Sequence, residues 1–146
     1  MLKELFSFRG RRYTDVAQML TAEEPDFVDV CSPMAYHAGH VQAAINGGAH
    51  ILCEKPLVYA AGVDSGELLR CAHDLVNQVQ QKGLAFGLCS QYKTVADSCL
   101  ERAEDLGLAL PVETFSGVVA SPVRQRGPAP LDVWVDLGPH LLAVVQ

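Results

Sequence analysis

Residues Val28 to Leu57 read Val-Asp-Val-Cys-Ser-Pro-Met-Ala-Tyr-His-Ala-Gly-His-Val-Gln-Ala-Ala-Ile-Asn-Gly-Gly-Ala-His-Ile-Leu-Cys-Glu-Lys-Pro-Leu. A short apolar run breaks at Ser32-Pro33, where proline cannot donate to a sheet ladder. An amphipathic segment, Ala35 to Asn46, then reaches the pair Gly47-Gly48, suited to the left-handed end of a helix. A second apolar run, Ala49 to Cys53, closes on the charged tripeptide Glu54-Lys55-Pro56. Near-continuous apolar character predicts a parallel strand covered on both faces. The stretch is therefore strand, crossover helix, strand, with charge at the second strand's carboxyl end. That end is where ligands sit in open parallel sheets.

Working outward, Phe27 to Cys31 is the first strand, and Val16, Ala17, Met19 and Leu20 give the helix before it a face that Thr14 can cap. Met1 to Arg12 fits a short helix followed by a basic break. Downstream, Asp64 to Gln81 reads as a long helix. Asp64 and Glu67 resemble a capping box. Leu68, Leu69, Ala72, Leu75, Val76 and Val79 form its stripe. Leu84 to Cys89 is a third strand, so the alternation implies right-handed parallel crossovers. After Ser90 the character shifts: a helix over Val95 to Leu106, a strand of another sheet over Val112 to Ala120, and a loop over Ser121 to Pro130. Trp134 to Gln146 reads as an apolar turn entering a helix. The expected architecture is α/β: a partial Rossmann-like parallel sheet over residues 1–90, then, over 91–146, the start of an α/β domain with a mostly antiparallel sheet.

Composition narrows the function. The 146 residues are 49% apolar, which suits a packed globular chain. A formal charge of −6 offers no basic surface for nucleic acid, and the cluster Arg9, Arg11, Arg12 reads as a solvated turn. No apolar run approaches the roughly 20 residues of a membrane span. Five cysteines, an odd number without framework spacing, and no secretory leader point to reduced thiols in a cytoplasm.

Ser32-Pro33 with His37, the approach Gly48-Ala49-His50-Ile51-Leu52-Cys53 and Glu54-Lys55-Pro56 resemble the Gfo/Idh/MocA family. Asp136-Leu137-Gly138-Pro139-His140 resembles that family's second signature, in the expected order. The resemblance implies an oxidoreductase using NAD or NADP on a sugar, inositol or related polyol. It implies a Rossmann domain followed by a largely antiparallel sheet domain. It puts Lys55 beside the substrate hydroxyl and the nicotinamide, His140 as proton acceptor and Asp136 near the same hydroxyl. Ser32, Pro33, His37, Glu54, Lys55 and Pro56 become cofactor-binding residues. The chemistry fits: an imidazole can accept the hydroxyl proton, and an ammonium steadies developing alkoxide charge. If the helix begins by Asp136, that residue and His140 share a face.

Simpler readings stand beside these. Glu54-Lys55 alone would be a surface ion pair, worth about 0–1 kcal/mol. His140 alone would be a core histidine. His37 and His40 lie three apart with no convincing third ligand, so no metal is expected. Cys53 beside Lys55 is read as packing, with a lowered thiol pKa as the alternative. A cysteine hydrolase using Cys31 or Cys53 lacks flanking nucleophile-elbow glycines.

Two departures from the family follow. Met34 stands where members commonly carry an asparagine near the cofactor ribose. No Gly-x-Gly-x-x-Gly occurs, the turn that lets a pyrophosphate approach a helix N-terminus. The resemblance thus implies a piece from the middle of a longer enzyme. Loss of the sheet's first strand would leave Phe27 to Cys31 as an edge, and hence a self-associating chain, a homo-oligomer. The alternative function is a non-catalytic remnant or interaction module that has lost cofactor binding.

Overall fold

In the computed structural model the described residues are 9–108, 114, 116, 118, 137–140, 142 and 143. The order is α1 (Val16–Glu23), β1 (Phe27–Val30), a 3₁₀ turn (Met34–Tyr36), α2 (His37–Gly47), β2 (His50–Glu54), α3 (Ser65–Gln81), β3 (Phe86–Cys89) and α4 (Gln91–Asp105). The three strands form one parallel sheet in the order β1-β2-β3. The register aligns Val28 with Ile51 and Phe86, and Val30 with Cys53 and Leu88.

Both crossovers step in the same direction across the sheet. Right-handed connections then put α2 and α3 on one face, where α2 packs on β1 and β2 and against α1 and α3. The core lies there: Val30, Val41, Ala44, Ile45, Ile51, Cys53, Leu75 and Val79. The expectation that β2 is covered on both faces is corrected. Its burial alternates, with Ile51 and Cys53 buried, His50 exposed and Leu52 half-buried. Two helices on one side cannot shield the rows running through Leu52. Phe27, at the edge strand's start, is 54% exposed.

The helix ends explain several shifted boundaries. Asp15, not Thr14, caps α1, its carboxylate accepting from the Gln18 amide at 2.7 Å. Asp64 caps α3, accepting from the Gly66 and Glu67 amides at 2.8 and 3.2 Å. Ala49 and Leu84, read as strand residues, instead close the preceding helices by donating to Ala44 O and Val79 O. Strands β2 and β3 start one and two residues later. Helix α4 starts four residues before Val95, because Gln91 to Thr94 carry no apolar period to announce it. Leu69, counted in the α3 stripe, is 60% exposed. It sits at the margin of the line through Leu68, Leu75 and Val79.

Polar contacts fasten the helices. Gln42 and Gln78 exchange amide hydrogen bonds between α2 and α3 at 2.7 and 3.1 Å. Lys82 donates to Ile45 O near the carboxyl end of α2 at 2.8 Å, where a cation suits the helix dipole. In the basic cluster, Arg11 pairs with Glu23 at 2.6 Å and lies over the Tyr13 ring. Among the described residues no helix is long and apolar enough to cross a membrane. The expected helix before residue 9, most of the strand over 112–120, the loop over 121–130 and Asp136 lie outside the described residues. Residues 137–140 are helical, as read for that segment.

Candidate functional site

The chemistry-bearing residues collect at the carboxyl ends of β1 and β2. The β1–β2 pairing ends at Val30–Cys53, β2 goes on one residue to Glu54 opposite Cys89, and each strand then runs into a proline turn. Pro33 sets φ at −58°, which starts the 3₁₀ turn and then α2. Glu54 ends β2 and the second turn carries Lys55 and Pro56, all three half-buried, with a cis Lys55–Pro56 peptide.

His37, the first residue of α2, joins these turns. It is 1% exposed; Nδ1 lies 2.7 Å from Pro56 O and Nε2 2.7 Å from Ser32 O. A carbonyl oxygen only accepts, so each bond needs a proton on its ring nitrogen. Among the described residues no group of three or more metal-ligating side chains gathers. Expected among the cofactor-binding residues, His37 reaches the open edge only through the two turns it holds.

Ser32 is gripped twice. Its carbonyl accepts from His37, and its hydroxyl lies 2.9 Å from His40 Nδ1. Tyr36 stacks on His40, with centroids 5.9 Å apart and planes at 15°. The sequence gives no more than the spacing for this pair: positions four apart on consecutive helical turns become neighbours.

Two carboxylates colour the edge. The Cys31 thiol is pushed up by a hydrogen bond to Asp29, and the Cys89 thiol by one to Glu54. Burial, then the nearby Glu54 charge, pushes Cys53 up to about 11. That overturns the lowered-thiol alternative for Cys53 and supports its packing role: a thiol raised by burial and anions is a poor nucleophile. The same shifts argue against a cysteine hydrolase at Cys31 or Cys53.

His140 lies against Tyr92 in the first turn of α4, with ring centroids 4.6 Å apart at 47°. Sequence reading missed Tyr92 because nothing in its spacing singles it out. So the structure brings Ser32, His37 and Pro56 into contact beside Lys55, and His140 onto Tyr92.

A parallel sheet with right-handed crossovers and functional groups at its carboxyl edge defines an α/β protein of the Rossmann type. A family model described as "Oxidoreductase family, NAD-binding Rossmann fold" matches residues 3–87. The chain belongs to that Gfo/Idh/MocA family. It is 46% identical over 44 residues to the D-glucoside 3-dehydrogenase of Escherichia coli, matching 30% of this chain and 12% of that protein. It is 41% identical over 46 residues to the D-apiose dehydrogenase of Paraburkholderia graminis, again 12% of that protein. A Yersinia pestis protein described as a candidate oxidoreductase superposes with a TM-score of 0.59 over 88% of this chain and 36% of its own, at 24% identity; this likeness concerns the fold. The chain thus spans a small part of the relatives it matches.

Proposed function

We propose that the chain serves an NAD- or NADP-dependent oxidoreductase acting on a sugar, inositol or related polyol. The observation that carries this reading is the placement of Lys55. It sits at the carboxyl end of β2, in a turn tied through Pro56 O to His37 and thence to Ser32. The two dehydrogenases named above, both of sugars, support the substrate class. Residues 1–90 are read as part of the dinucleotide-binding domain and 91–146 as the start of a second domain.

The residues present fit one end of a dinucleotide. The Ser32 hydroxyl and the Lys55 ammonium suit a ribose and a carboxamide, and Pro33, Glu54 and Pro56 shape the turns around them. The glycine turn that would cradle a pyrophosphate is not in this sequence. When bound, the nicotinamide supplies a hydride acceptor. Lys55 then steadies the negative charge developing on the substrate oxygen. His140 takes the hydroxyl proton on a ring nitrogen, with Asp136 beside the same hydroxyl. Tyr92 limits the tilt of the His140 ring from one side.

Titrating NADH and NADPH into the purified chain, read by nicotinamide fluorescence and melting temperature, tests this. Saturable binding with a rise in melting temperature that grows with ligand excess supports it. No binding at millimolar cofactor sinks it. The missing glycine turn favours one second reading, a non-catalytic remnant or interaction module. Lys55→Ala separates the two, since only an enzyme loses turnover.

A further inference from the structure

Among the described residues His37 is the buried polar side chain of the molecule, and none of its polar capacity is spent on its own helix. Its helix is anchored in the core through Val41, Ala44 and Ile45, each 0% exposed. The ring therefore stands on a rigid base. From there it reaches two backbone carbonyls, one at the end of each neighbouring strand. Both carbonyls lie past the last sheet pair, where no ladder fixes the chain. Ser32 is held at its hydroxyl as well, by His40, so one side of the bridge is itself fixed. The other side is the carbonyl of Pro56, one residue after Lys55.

We propose that His37 is the positioning residue for Lys55: it clamps the Pro56 carbonyl to the Ser32 carbonyl and so fixes where Lys55 leaves the sheet. The use of the clamp rests on the reading that Lys55 serves the reaction; the clamp itself does not. A leucine of similar volume would keep the packing and leave two buried carbonyls without donors, at a cost only the two turns can relieve by opening.

The two bonds can be tested one at a time. Asparagine places its amide nitrogen near the position of Nδ1, and glutamine near that of Nε2. His37→Asn keeps a donor for Pro56 O and loses the one for Ser32 O; His37→Gln does the reverse; His37→Ala loses both. The readouts are amide hydrogen exchange over residues 31–36 and 54–59, and acylation of the Lys55 amine relative to Lys93. In His37→Ala both turns exchange faster, by about tenfold, the scale of one lost hydrogen bond per turn. In His37→Asn only the Ser32 turn quickens, and Lys55 labels as in the wild type. In His37→Gln the Pro56 turn quickens, and Lys55 labelling changes with it. If Asn and Gln act alike, or if Ala leaves both turns unchanged, the proposal is overturned. Should all three variants fail to fold, the wild-type ring decides. In proton–nitrogen spectra His37 then shows a slowly exchanging ring N–H signal for each carbonyl it holds, two in all. A single signal, or none, overturns the clamp. None of the three readouts needs a cofactor, so failure of the nicotinamide titration leaves this test standing.

Discussion

Cys53 lies on the covered face of β2 with 0% exposure, and burial holds its thiol up to about 11 against an ordinary 9.0. In the unfolded chain the same thiol ionises from about pH 9 upward. Between those values the folded state binds more protons than the unfolded one, so stability falls as pH rises. The loss from this group is on the order of 2 kcal/mol by about pH 11. Urea unfolding of wild type and Cys53→Ala at pH 8 and pH 11 checks it: the wild type loses more between the two. The slope that remains in the variant includes Cys31 and Cys89, which are raised in the same direction by Asp29 and Glu54. Gly48 is the other residue with a single physical reason to be what it is. It ends α2 at φ +77°, and an added Cβ would meet nothing within 4 Å. Gly48→Ala therefore costs only backbone strain, about 1 kcal/mol, seen as a lower urea midpoint with unchanged slope.

Helix α3 shows how much one cap matters to an element. Its first amides are free of helical partners, and the Asp64 carboxylate accepts from two of them. Asp64→Ala should cost about 1 kcal/mol, while Asp64→Ser stays close to wild type, by chemical denaturation. Helix α2 depends on burial instead. Ile45 is 0% exposed between the sheet and its helical neighbours, and Ile45→Ala should cost roughly 2–5 kcal/mol in the same assay. These four residues differ in how openly the sequence announces them. Gly48 and Asp64 are legible because each acts on the backbone within three residues of itself. Thr14 misled for the same reason: two capping side chains stand side by side, and the turn's geometry chose Asp15.

For the molecule as a whole, the sheet of described residues has its helices α2 and α3 on one face and β1 at an edge, with Phe27 exposed. An exposed strand edge pairs readily with another chain. Size-exclusion chromatography with light scattering should show a species heavier than the 15.7 kDa monomer. A clean monomer would count against self-association through this edge.

Local sequence determined the order of strands and helices, the parallel sheet and the family, because period, proline breaks and glycine ends act over a few residues. The Lys55-Pro56 turn and its place after a strand were legible for that reason. Tertiary structure decided what lies far apart in the chain. That two helices share one face of the sheet follows from crossover direction, and so does the half-open β2. His37 reaching 19 residues to Pro56 O depends on two strand ends meeting beside one helix start. No pattern in the sequence between those residues records that meeting, because it is made by the sheet's register.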